Sequence, residues 1–178
     1  FMLKDLYIDF YPIDEVWLRF GNQIIARGES NLLISSDIAN PRDLSTIGLQ
    51  DLDDIRLNIP SILAGYNIGS LKQEVIVFLD EKRNKVARSG TAFDPAAAFL
   101  GASIVTNFSP AQHNISYALR NKMLLSGLEL DLSLGEYNNK QLSTLSSSVS
   151  GNVTTLLTQQ DRILFVGLNG NIVLSDFV

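Results

Sequence analysis

Five aspartates, Asp37, Asp43, Asp51, Asp53 and Asp54, crowd one stretch in the first third of the chain. Oxygen-rich clusters of this kind hold calcium, which takes about 6–8 oxygen ligands. Asp51, Asp53 and Asp54, in "DLDD", form the tightest group and offer a loop site completed by backbone carbonyls. The stretch lacks the glycine and glutamate that an EF-hand loop needs at its sixth and twelfth positions. A solvated turn is the competing reading.

His113 is the one histidine. A Ser–His–Asp triad would use it as the base, with Ser109 or Ser116 as nucleophile. "SPAQHNIS" contains no G-x-S-x-G elbow, and a lone histidine does not make the usual multi-histidine metal site. The chain has no cysteine. Thiol nucleophiles, disulfides and cysteine-based zinc sites are therefore excluded, and the redox compartment stays open. "LAGYNIGS" spaces Gly65 and Gly69 four apart but lacks the lysine of a phosphate loop, and no G-x-G-x-x-G occurs. Lys82, Arg83, Lys85 and Arg88 make a basic tip that solvation explains as well as phosphate contact does. A carboxylate pair for glycoside hydrolysis needs no fixed spacing, but no particular pair stands out. Aromatics for a sugar groove are thin, with one Trp and five Tyr. Asn107, Asn114 and Asn152 begin glycosylation sequons, which matter only in a secreted chain. The expectation is a protein that is not an enzyme and uses no cofactor.

The elements that must position these residues follow a period of two, the strand signature. "GLELDLSLG" is the cleanest case. Leu128, Leu130, Leu132 and Leu134 alternate with Glu129, Asp131 and Ser133, which predicts a half-buried strand with leucines inward and acids outward. "LYIDFYP" sets Leu6, Ile8 and Phe10 on one face. "EVWLRFGNQIIARG" reads as two strands joined near Gly21-Asn22, and "NLLISS" as another. "DIRLNIP" alternates until Pro60, which cannot donate to a ladder. Two hairpins are predicted. One runs through Val75–Leu79, a polar turn at Asp80–Asn84 and a return over Lys85–Arg88. The other turns at Asn169-Gly170, a pair suited to the positive φ of a type I′ turn. Asp94 as N-cap, Pro95, a run of alanines and Gly101 predict a short helix. "PRDLSTIGLQDLDD" has room for a helical turn, and "NNKQLSTLSSSVSGN" favours a loop or an edge segment.

Length fits one domain, residues 1–178, since domains commonly run about 100–200 residues. The fold class expected is mainly β: a β-sandwich or partly open β-barrel with one short helix near residues 94–101. A net charge of −5 disfavours nucleic acid. No apolar run approaches the roughly 18–20 residues of a membrane-spanning helix, so no span is expected. With Met2 read as the initiator no classical secretion signal is seen, which favours a cytoplasmic or virion-associated place. The leading expectation is an assembly protein, such as a virion, phage-tail or filament subunit. It would self-associate through strand surfaces carrying Leu6, Ile8, Phe10, Trp17, Ile172 and Leu174. A β module binding a small apolar ligand or a glycan, its interior lined by the alternating leucines, is the alternative. A carboxylate-dependent hydrolase comes third.

Overall fold

The computed structural model describes residues 5–25, 39–46, 55–80, 82–88, 90–94, 103–109 and 115–172. The fold is mainly β and is an open array of sheets, not a closed barrel. Its largest sheet has seven strands in the order β1 (Leu6–Ile13), β2 (Val16–Gln23), β4 (Ile59–Ile68), β5 (Leu71–Phe78), β8 (Ser116–Leu125), β9 (Leu128–Asn138) and β12 (Arg162–Ile172). Every neighbouring pair in it is antiparallel. A three-stranded sheet joins β10 (Ser143–Ser150), β11 (Val153–Gln159) and β7 (Ser103–Phe108), with the β11–β7 pair parallel. β3 (Asp43–Leu44) and β6 (Lys85–Val86) form a short parallel pair.

Connections differ between the two ends of the large sheet. At one end β1–β2, β4–β5 and β8–β9 are closed by two residues each, at Asp14-Glu15, Gly69-Ser70 and Ser126-Gly127. Gly69 and Gly127 take φ of 54° and 74°, the left-handed region where glycine has no Cβ penalty. At the other end the chain makes long excursions, over residues 24–58, 79–115 and 139–161. These are stitched together. Lys85 N–H donates to Arg42 O at 2.8 Å, Asn84 N–H to Lys140 O at 3.2 Å and Lys82 Nζ to Asn58 O at 3.3 Å. Asn40 donates to Ile25 O at 2.7 Å and accepts from Ile25 N–H at 3.0 Å. Ile25 and Ala39 thereby join Ile59, Leu63, Ile76, Phe78, Ala118 and Tyr137 in the core. The Tyr137 ring lies 5.6 Å from Phe78 and 6.4 Å from Phe165.

The central correction concerns "GLELDLSLG". It is a strand, but its faces are reversed. Asp131 and Ser133 are buried, at 6% and 4% exposure, whereas Leu132 and Leu134 are 39% and 38% exposed. The alternating leucines therefore do not line an interior. Three turn assignments also change. Gly21-Asn22 lies within β2, where a Cβ on Gly21 would come within 2.5 Å of Tyr7 Cα on the adjacent strand. Asn169-Gly170 lies within β12, because that strand pairs with β9 without interruption from Arg162↔Asn138 to Ile172↔Leu128. β5 has β4 on one side and β8 on the other, so the Lys85–Arg88 segment has no edge to return to, and Lys85-Val86 pairs with β3 instead. Pro60 does not stop a strand; β4 begins at Ile59 and runs through it, with Pro60 O accepting from Leu79 N–H at 2.9 Å. "QLSTLSSSVS" contributes β10, an edge strand of the smaller sheet. Of the expected helix only Asp94 lies among the described residues, where its carboxylate accepts from Gly90 N–H at 2.7 Å. "NLLISS" lies outside them.

Candidate functional site

The register of the seven strands sorts every side chain to one of two faces. One cross-strand row on the outer face reads Phe10, Leu18, Ala64, Val75, Leu119, Leu134 and Val166, one residue per strand and all apolar. Polar groups on this face sit toward its ends. Gln73 and Asn121 bond to each other at 2.9 Å near the short turns. At the opposite end Tyr117 Oη donates to Glu136 at 2.5 Å, and Arg162 Nε donates to Glu136 at 2.8 Å. The hydrogen bond to Glu136 holds the Tyr117 phenol above its usual pKa.

The inner face carries the ionic chemistry. Asp9 accepts from Arg19 Nε and Nη2 at 2.6 and 2.9 Å across the β1–β2 pair. Arg120 on β8 donates to both carboxylate oxygens of Asp131 on β9, at 2.5–3.0 Å, and its Nη1 lies 3.5 Å from Glu74 on β5. Lys72 pairs with Glu74 at 2.9 Å, and Lys122 with Glu129 at 2.5 Å. Trp17 bridges the halves of this belt. It lies opposite Gly65, where any Cβ would strike the indole, so the ring spreads flat across β4. The Arg19 guanidinium carbon is then 5.9 Å from the indole and Lys72 Nζ is 5.3 Å from it, within the roughly 6 Å reach of a cation–π contact.

Geometry sets the protonation states. The hydrogen bonds from Arg19 hold the Asp9 carboxyl below its usual range, and Asp9 in turn raises Arg19. The hydrogen bond to Asp131 raises Arg120 against the opposing pull of burial. The Asp9–Arg19 pair therefore stays ionised at neutral pH. Buried charges need such partners, because an unpaired charge out of water costs several kcal/mol, on the order of 3–5 when one partner of a buried pair is removed.

A cavity of about 520 Å³ opens beside the belt, along β2, β4 and β5. Ile24, Ile25, Leu63 and Ile76 line its apolar part, with Arg19 in the same cross-strand row as Leu63 and Ile76; Asn67 and Lys72 line its polar end, and Trp17, Glu74 and Arg120 line the row between.

The sequence-derived candidates scatter. Leu6, Ile8 and Phe10 share the outer face of edge strand β1, and Ile172 lies on the outer face of the opposite edge strand. Trp17 faces inward, packed against the core. Leu174, Asp51, Asp53, Asp54 and His113 lie outside the described residues. Among the described residues no group of three or more His, Cys, Asp or Glu is placed to hold a metal. The belt of Asp9, Arg19, Glu74, Arg120 and Asp131 was missed. Its only signal is the charged half of each alternating strand, which a water-facing assumption turns outward. Comparison with protein-family models, with curated proteins and with solved structures found no match.

Proposed function

We propose that the seven-stranded sheet is part of the wall of a membrane-embedded β-barrel, with its apolar face toward acyl chains and its charged face toward an aqueous interior. The observation that carries this reading is the reversed alternation: apolar residues outward on all seven strands, and paired charges inward on β1, β2, β5, β8 and β9. Transmembrane strands alternate in this sense, whereas a water-soluble sheet does the opposite. Three further features agree. Strands of 8–11 residues suit the roughly 9–11 that cross a bilayer when tilted. Two-residue turns at one end and long connections at the other match the asymmetry of such walls. Tyr66 and Tyr117 stand toward opposite ends of the outer face, where amphipathic rings suit a membrane interface. No helix among the described residues is long and apolar enough to cross a membrane, which leaves spanning by strands untouched.

The test is lipid contact, residue by residue. The chain has no native cysteine, so single cysteines placed at Leu132, Leu134 and Val166 can carry a fluorophore in vesicles containing brominated lipid. Quenching is expected at these three and not at Ser133 or Asn169. A protein that is monodisperse in buffer without detergent, with unquenched outer labels, would overturn the reading.

The second reading is self-association through the same face, as in an assembly subunit. The edges of β1 and β12, which have no partner strand among the described residues, favour it, since such edges template strand pairing. Detergent-free oligomers whose outer labels are shielded from water and not quenched by lipid are its signature.

A further inference from the structure

We infer that the cavity beside the charged belt binds an organic monocarboxylate with an apolar body, its carboxylate at Lys72 and its body against Leu63, Ile76 and Ile25. The cavity volume of about 520 Å³ lies within the roughly 300–1,000 Å³ of small-molecule sites.

Charge on the lining sets the sign of the ligand. Among the described residues three cations, Arg19, Lys72 and Arg120, face the cavity, with one carboxylate, Glu74. Asp9 and Asp131, which balance the two arginines, are not among the lining residues. The arginines are thus balanced from outside the lining, and Lys72 is the lining cation with donor capacity to spare.

Coordination sets the number of charges. Arg19 and Arg120 are each held bidentately by an aspartate. Lys72 contacts one oxygen of Glu74, at 2.9 Å, and keeps 45% of its side chain exposed. An ammonium carries three donors, so Lys72 can take a ligand oxygen without releasing Glu74. One such cation suits one carboxylate. The Asn67 amide beside it adds a donor of the same class.

The apolar part sets the rest of the molecule. Ile25, Leu63 and Ile76 belong to the core cluster, so the core forms the floor of this part of the cavity. Trp17 flanks the path between the two parts and supplies a ring face. An inorganic anion would satisfy Lys72 and leave the apolar wall unused. A neutral hydrocarbon would fill the wall and leave the cation unused. The inference stands whether lipid or another copy covers the outer face.

The experiment uses the full chain and its one tryptophan. Trp17 emission is followed while 4-phenylbutyrate, 4-phenylbutanol or 4-phenylbutylamine is added. The acid is expected to give a saturable change, the alcohol at least tenfold weaker binding, and the amine no response. Lys72→Met should weaken the acid about tenfold and leave the alcohol unchanged, with Lys72→Arg restoring the acid. Equal responses to acid and alcohol, a change that never saturates, or full competition by inorganic phosphate would each overturn the inference. So would an unaltered acid affinity in a folded Lys72→Met protein. The three-ligand comparison on the parent chain decides the matter alone if that variant does not fold.

Discussion

A single arginine ties three strands together at the residue scale. Arg120 holds Asp131 and approaches Glu74, and both carboxylates are nearly buried. Such a pair is weak evidence of stability against a hydrophobic replacement, but breaking it strands a charge. Arg120→Met should therefore cost about 3 kcal/mol in a denaturant titration, and the double variant Arg120→Met with Asp131→Leu should recover most of the loss. A loss in the double variant equal to or larger than that in the single one would show that the pair is not the cause. Asp43 provides a pH test. Burial pushes its pKa up, but hydrogen bonds from Lys85 and Ser45 outweigh burial and leave it below the ordinary 3.8. A depressed carboxylate contributes stability that is present above the unfolded pKa and lost as pH falls through the folded one. The unfolding midpoint should thus drop as pH falls below about 4, and Asp43→Asn should flatten that drop. At this scale the sequence was legible in one respect only. Alternation announces that a strand has two unlike faces, but the period is the same whichever face is inside. Reading the leucines of "GLELDLSLG" as inward assumed that the apolar face is the covered one, whereas Asp131 and Ser133 are the buried side chains.

Turn chemistry decides the element scale. Asn-Gly is a strong hairpin signal in isolation, yet Asn169-Gly170 continues a strand, while Ser126-Gly127 and Gly69-Ser70 turn. The difference is not local. β9 offers β12 an unbroken eleven-residue ladder, and its backbone hydrogen bonds outweigh a turn propensity. Two glycine substitutions check this. Gly170 has no positive φ, and a Cβ there would meet Leu130 at an ordinary 3.5 Å. Gly170→Ala should change stability by less than about 1 kcal/mol. Gly127 sits at φ 74°, and Gly127→Ala should cost about 1 kcal/mol. A costly Gly170→Ala with a silent Gly127→Ala would put the turns where local propensity puts them. Strand presence was readable for β1 and β9 because apolar residues alternate there, and for β5 because Val75–Phe78 is a β-branched and aromatic run. The charged belt was not, because its members come from five strands and meet only through the register.

At the scale of the molecule the two sheet edges pose the remaining problem. Among the described residues no strand pairs with the outer side of β1 or of β12 in the seven-stranded sheet. In lipid an open edge leaves backbone N–H and C=O groups without partners, at several kcal/mol each, so spanning sheets close. The seven strands alternate in direction, which makes β1 and β12 run the same way. Joining them directly, or joining β12 of one copy to β1 of the next around an axis along the strands, creates a parallel seam. Keeping every pair antiparallel requires an odd number of further strands between the two edges. One intervening strand already sets β1 and β12 about 9–10 Å apart, two inter-strand spacings, beyond the roughly 7 Å that a disulfide can bridge. Cysteines placed in pairs, Leu6, Ile8 or Phe10 against Leu164, Val166 or Leu168, should therefore form no disulfide within or between copies in vesicles. A pair at Leu119 and Leu134, direct neighbours on β8 and β9, should oxidise readily and serves as the internal standard. A β1–β12 disulfide within one chain would mean a seven-stranded closure. The same bond between chains would mean that copies of this sheet complete the wall, and the self-association reading would then take precedence.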